Sequence, residues 1–325
     1  MISAFSRKPR VGLALGGGAA RGLAHLGVLQ VLEENDLTPV ALSGCSVGAL
    51  IGAVWITRDD AYAAETWISD FVNSDAYRKE ELEYLSKARQ DAETWTAHVK
   101  SAFRRGLFLG RTYLNESFVS ESDYRHNIEM LVPDTTFESL RLPFYANAVD
   151  LITGNEVLFH RGPLREALLA SGAVPGLLPP RSFDGMMLTD GGVVAKIPLR
   201  PLLRQKVDLI IGVDVSKNFL EPPSLGRGTD IMNRAKECGE WNLRRTRNRI
   251  ADVIVRPKVE DIHWLSFSAA MPAVQRGREA MEEAIDRVKE CFERDRWRRL
   301  IGRSHAARAA ALDREGWFGP APREV

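Results

Sequence analysis

Twice near its start the chain runs from a short apolar segment through glycines into a helical pattern. The first unit is Val11-Gly-Leu-Ala-Leu15, then Gly16-Gly17-Gly18, then a stretch from Gly22 to Glu34 with Leu23, Leu26, Leu29 and Leu32 near one face. The second is Val40 to Leu42, then Gly44-Cys45-Ser46-Val47-Gly48, then a helical reading from Ser46 to Thr57, followed by more helix over 61–72. A short apolar run ended by glycine reads as a buried strand, and leucines three apart read as a helix face. Strand, helix, strand, helix in that order is what a parallel sheet with helices packed on it produces. The pattern predicts an α/β fold.

The same reading disposes of a membrane-spanning alternative. Leu37 to Thr57 carries no charged residue and is long enough to cross a bilayer. Pro39 and the Gly44/Gly48 pair split it into two short blocks, which suits a buried strand, a turn and a buried helix. The N-terminal MISAFSRKPR has charge but no apolar segment behind it and does not read as a signal peptide. Three cysteines, Cys45, Cys238 and Cys291, stand far apart with no C-x-x-C pair. That count indicates neither a disulfide framework nor a zinc site and suits a reducing, cytoplasmic setting. A net charge of +1 supplies no overall attraction to nucleic acid.

Further along, 77–130 is charged and mostly helical in pattern, with a break around 105–110. Strands are predicted over 144–152 and 156–159, joined by the hairpin signal Thr153-Gly154-Asn155. The small, apolar, Pro-containing stretch 167–180 reads as a loop lining a site, and Leu209 to Val213 as another buried strand. Glu221 to Gly228 is the most linker-like segment. Charged helices over 232–250 and 273–299 flank a strand at Val253 to Val255.

Three motifs carry chemistry. Gly44-Cys45-Ser46-Val47-Gly48 is a G-x-S-x-G between a predicted strand and a predicted helix. There a sharp turn can hold a serine hydroxyl clear of the backbone, with the amides of the helix N-terminus facing the reacting centre. Gly16 to Gly22 is a glycine loop in the same strand-to-helix context. It lacks the third glycine of a dinucleotide fingerprint and the G-K-[ST] ending of a phosphate-binding loop. A nucleotide-binding domain is therefore the weaker reading of that loop. A set of backbone amides for a developing oxyanion is the stronger one. Thr189-Asp190-Gly191-Gly192 follows the apolar Met186 to Leu188 and places an aspartate at a strand end, where it can act as a general base.

Taken together, these residues resemble the patatin-like phospholipases, and within them the bacterial members. The matching stretches are 13–29, 44–49, 150–154, 170–175 and 190–194, in the family's order and spanning about 11–215. The resemblance implies a three-layer α/β/α sandwich around a mainly parallel sheet, and a serine acyl hydrolase working through a Ser–Asp dyad. It implies Ser46 as nucleophile and Asp190 as base. It implies an oxyanion hole from the amides of Gly17, Gly18 and Ala19, with Arg21 supporting that loop. No metal or organic cofactor is implied. The expected partner is a lipid or acyl-ester substrate, with any membrane contact peripheral. The expected division is a catalytic domain over 8–220 and a mostly helical extension over 221–325 packed on the same domain.

Two positions depart from the family pattern. Ala19 stands where a third glycine is frequent, which matters if the residue needs a positive φ. Lys196 stands where an asparagine is usual, and a lysine beside Asp190 would lower its pKa and weaken it as a base. Lys196 therefore supports an alternative, a regulatory or scaffolding protein that keeps the fold with little turnover. A Ser–His–Asp triad with His263 or His305 is disfavoured, because neither lies in a glycine-rich or strand-end context. His25 is expected to bond locally, and Cys45 to fill a small buried space. The Arg244 to Arg249 cluster and the 276–299 helix read as solvated, ion-paired faces. With the 297–311 tail they are the first places to look for membrane contact.

Overall fold

β1 (Val11–Leu15) and β2 (Pro39–Cys45) are neighbouring parallel strands, and each ends in one of the two glycine motifs. The structure is a computed structural model describing residues 8–75, 77, 120–217, 219, 225–226, 228–263, 266–268, 270–300 and 322–325. The further strands are β3 (Phe144–Asp150), β4 (Glu156–Phe159), β5 (Arg181–Phe183), β6 (Met186–Asp190), β7 (Leu209–Val213), β8 (Val253–Val255) and β9 (Arg323–Glu324). Along the sheet the order is β5-β6-β3-β2-β1-β7-β8, with β4 on β3 and β9 on β4. The run from β3 to β8 is parallel throughout, and β4, β5 and β6 pair antiparallel at one end. The described helices are α1 (Ala24–Glu34), α2 (Val47–Ile56), α3 (Ala61–Asn73), α4 (Glu121–Leu131), α5 (Leu164–Ser171), α6 (Gly228–Arg247) and α7 (Pro272–Leu300).

The central strands are apolar on both faces, but the faces differ in residue size. Val11, Leu13 and Leu15 of β1, with Leu209, Ile211 and Val213 of β7, join the large core under α1, α2, α3 and α7. Ala14, Ala41 and Ile210 point the other way, against Ile197, Leu199, Leu202 and Val207. On that second face a Cβ at Gly12 would stand 3.2 Å from Val207 and one at Gly212 2.7 Å from Ile254. Small residues let the 197–207 segment lie close to the sheet, so both faces are covered, one by long helices and the other by a thinner layer.

The uncharged 37–57 stretch is a strand, a turn and a helix, with Trp55 fully buried. Among the described residues no helix is long and apolar enough to cross a membrane. The hairpin signal at 153–155 joins β3 to β4, with Gly154 at a φ of 73°. The stretch beginning at Ala167 is not all loop. Residues up to Ser171 belong to α5, because Leu164 and Leu168 bury on one side and the prolines begin only at Pro175. Nor is α7 merely a surface helix. It buries Val274, Met281, Ala284, Val288 and Cys291 and crosses α1 where Gly27 and Gly277 leave no room for a Cβ on either helix. Its polar side carries the expected ion pairs, among them Arg278 with Glu34 at 2.8 Å. The break at 105–110, most of the linker at 221–228, His305 and the 301–311 part of the tail lie outside the described residues.

Candidate active site

β3 is the template on which the site is built. Its edge along Ala146–Val149 is taken by β4, so β2 and β6 share the opposite edge. β2 arrives parallel and ends with Cys45 opposite Asn147, while β6 arrives antiparallel and ends with Asp190 opposite Ala148. Two strand ends from distant parts of the chain therefore meet head to head. Ser46 and Asp190 are the residues at that junction.

Ser46 caps α2 with φ 53° and ψ −125°, a backbone region costly for a residue with a Cβ, on the order of 1–3 kcal/mol. The flanking glycines make the turn sterically feasible. A Cβ at Gly44 would stand 2.5 Å from the backbone of Ala49, and one at Gly48 would run into the Leu15 carbonyl. The Ser46 amide donates to Ser171 Oγ at 2.9 Å, so the buried end of α5 helps to hold the turn.

Asp190 is buried, and its Oδ1 accepts from the Gly192 amide at 2.7 Å and from the Cys45 thiol at 3.5 Å. Burial pushes its carboxyl above the usual carboxylate range. Hydrogen bonds from the Ser46 side chain, the Gly192 amide and the Cys45 thiol, and then the charge of Lys196, pull the other way without reversing the shift. The effect expected of Lys196 has the right sign, but the net shift is opposite, because loss of solvation outweighs one lysine. Burial and the neighbouring Asp190 push the Cys45 thiol well up, so it stays protonated and donates. Cys45 thus does more than fill space.

The glycine loop lies directly against the serine. A Cβ at Gly17 would stand 3.4 Å from Ser46 Cβ and 3.3 Å from Cys45 Sγ. Its amides are not equivalent. Gly16 donates to the Val213 carbonyl and Gly17 to the Lys196 carbonyl, each at 3.0 Å. The Gly17 amide, expected among three oxyanion donors, is thus already engaged. The amides of Gly18 and Ala19 open a short 3-10 turn over 19–23 and have no acceptor among the described residues. Ala19 sits at φ 50°, the left-handed region that favours glycine. Arg21 Nε donates to the Ile262 carbonyl at 3.0 Å and ties the turn to a later segment.

Several contributors have no motif to announce them. Buried His25 donates from Nε2 to the Gly16 carbonyl at 2.8 Å, and burial pushes its pKa down to about 4, so it is neutral. Buried Asn147 donates to the Ala195 carbonyl at 2.9 Å and lies where any side chain at Gly191 would have to go. Two arginines of the 244–249 cluster turn inward, contrary to a solvated face. Arg244 pairs with buried Asp214 at 3.4 Å and Arg247 with Glu156 at 3.5 Å.

A family model described as patatin-like phospholipase matches residues 13–203. An uncharacterized NTE family protein of Mycobacterium tuberculosis is 32% identical over 217 residues, which is 67% of this chain and 52% of that protein. A protein named lysophospholipase NTE1 from Cryptococcus neoformans is 32% identical over 207 residues, 63% of this chain and 11% of its own length. The chain thus spans about half the length of the mycobacterial relative and a small part of the fungal one. Among solved structures, VipD of Legionella pneumophila is one match. Its TM-score is 0.44 at 15% identity, over 86% of this chain and 67% of that one.

Proposed function

The chain belongs to the patatin-like phospholipase family, and we propose that it is a serine acyl-ester hydrolase acting on lipid or fatty-acyl esters. Relatives named as lysophospholipases support the substrate class. The observation that carries the reading is the head-to-head junction, which brings a serine at φ 53° to a buried carboxylate, beside two amides with no acceptor among the described residues.

In the first half-reaction Asp190 accepts the proton of Ser46 Oγ as the oxygen attacks the ester carbonyl carbon. The raised pKa suits a base that must hold a proton and then return it. The tetrahedral oxyanion rests on the amides of Gly18 and Ala19, where one such donor is typically worth about 3–4 kcal/mol. The intermediate collapses to an acyl-enzyme as the leaving alcohol takes the proton from Asp190. Water then attacks the acyl carbon and gives its proton to Asp190. Collapse frees the fatty acid and returns the proton to Ser46. Neutral His25 sets the loop by holding the Gly16 carbonyl and takes no proton.

The test is hydrolysis of p-nitrophenyl esters of rising chain length by wild type, Ser46→Ala and Asp190→Asn. Fluorophosphonate labelling and circular dichroism accompany it. Ser46→Ala should lose both turnover and label, and Asp190→Asn should lose turnover with its fold intact. A folded wild type that neither labels nor turns over any ester would overturn the reading in favour of the scaffolding alternative.

A further inference from the structure

Resting on the hydrolase reading, we propose that a cationic cavity beside the glycine loop binds the phosphate of the substrate's headgroup and selects phosphomonoesters over choline headgroups. The cavity holds about 270 Å³ and is lined in part by Gly18, which carries an amide unengaged among the described residues, and by Gly192, whose amide holds Asp190. Its far wall is α6, which lies beyond the residues that match the family model.

The charge count of the wall is lopsided. Six cationic side chains line it, Arg21, Lys196, Lys217, Arg234, Arg244 and Arg247, against Glu237 and Glu240. Three of the arginines have carboxylates: Arg244 with Asp214, Arg247 with Glu156, and Arg234 with Glu237 at 3.0 Å. Glu240 pairs instead with Lys236 at 3.7 Å. Lys196 and Lys217 have no carboxylate within ion-pair distance among the described residues and leave the wall net positive. The wall also contains Ser216, which is 9% exposed and whose hydroxyl has no hydrogen-bond partner among the described residues. A buried hydroxyl without a partner costs free energy unless something supplies one. A phosphate oxygen beside the two lysines fits that need.

The same wall is unsuited to a quaternary ammonium group. Choline is recognised by open aromatic faces. Here the rings of Phe219 and Trp241 stack on each other at 5.6 Å. Arg234 already lies 3.6 Å over Phe219, and Arg244 lies 4.7 Å over Trp241. A cationic headgroup would meet guanidinium groups where it needs a π-face.

The experiment compares lysophosphatidate, lysophosphatidylcholine and monoacylglycerol of one acyl chain, using wild type, Ser216→Ala and Lys217→Gln. Wild type should favour lysophosphatidate in kcat/KM, less so at high salt. Each variant should lower that preference roughly tenfold through KM, leaving monoacylglycerol turnover unchanged. Equal use of the three substrates, a preference for the choline ester, or variants that shift nothing would overturn the proposal while the hydrolase reading stands. Calorimetry with sn-glycerol 3-phosphate and with inorganic phosphate on Ser46→Ala reads the cavity without turnover. Saturable binding of glycerol phosphate that weakens in Ser216→Ala supports the subsite even if no ester is hydrolysed. Equal binding of inorganic phosphate with no headgroup preference marks a site for free phosphate and overturns it.

Discussion

Two strand-to-helix turns lie side by side in the sheet, after β1 and after β2, and each holds a non-glycine residue at positive φ, Ala19 at 50° and Ser46 at 53°. They do opposite things with it. The turn after β2 projects a side chain, and its glycines serve only to clear space around that serine. The turn after β1 projects backbone, and its glycines keep side chains away so that amides stay open. The supports differ accordingly. Ser46 is held by a distant hydroxyl, Ser171 Oγ, whereas the glycine loop is held by His25 from its own following helix and by the Lys196 carbonyl. In the proposed mechanism a side-chain turn must be aimed at one partner, Asp190. An amide turn needs only the right donors left over.

The largest break in this comparison should come from Gly48→Ala, whose methyl group would enter the Leu15 carbonyl where the two turns touch. Such overpacking typically costs about 1–3 kcal/mol and can exceed it against rigid backbone. A soluble variant with wild-type midpoint in denaturant would show that the turns have more freedom than the contacts allow.

Next is Asp190→Asn, expected to slow turnover about 10²–10⁴-fold. Wild-type kcat/KM should rise with pH along a limb above the ordinary carboxylate range, since the base must be ionised to act. Stability runs the other way. A raised folded-state pKa means the contribution is complete below the unfolded value and is lost as pH rises through the raised one. Asp190→Asn should therefore remove a decline in stability that wild type shows over that window, read by denaturation at a series of pH values.

His25 tests the loop alone. Its pKa of about 4 lies below the ordinary 6.5, so its neutral form stabilises the fold fully above 6.5, and that contribution is lost as pH falls toward 4. The loss amounts to roughly 3 kcal/mol. In His25→Gln, which keeps a donor for Gly16 and does not titrate, this acid limb should flatten; an unchanged limb assigns it to other groups. The smallest effect expected is from Ala19→Gly. Relief of left-handed strain, about 1–2 kcal/mol, is partly offset by the flexibility of glycine. The melting temperature should rise by roughly 2 °C with turnover unchanged.

Ser46, the strand end at Asp190 and the order of the elements were legible because their signals are local. A glycine pair beside a serine, an apolar run and leucines three apart each report a conformation within a few residues. The misreadings also have physical causes. Small apolar residues at 167–171 suit a loop or a helix equally, and only packing chose. The 276–299 helix alternates charge, yet it carries a buried stripe that a charged composition masks. Lys196 was rightly placed near Asp190, but a sequence displays charges and not solvation, so the larger opposing effect of burial could not be weighed.

By itself, then, the chain determined which segments are strands, where each turns into a helix, and which serine stands in the sharp turn. Those follow from backbone sterics and hydrophobic period. Tertiary structure alone decided that β2 and β6 end against each other on β3, that the Gly17 amide is engaged while those of Gly18 and Ala19 have no acceptor among the described residues, and that burial raises the pKa of Asp190. Each of these depends on which distant groups exclude water and use up hydrogen bonds, a property of the packed molecule and not of any stretch within it.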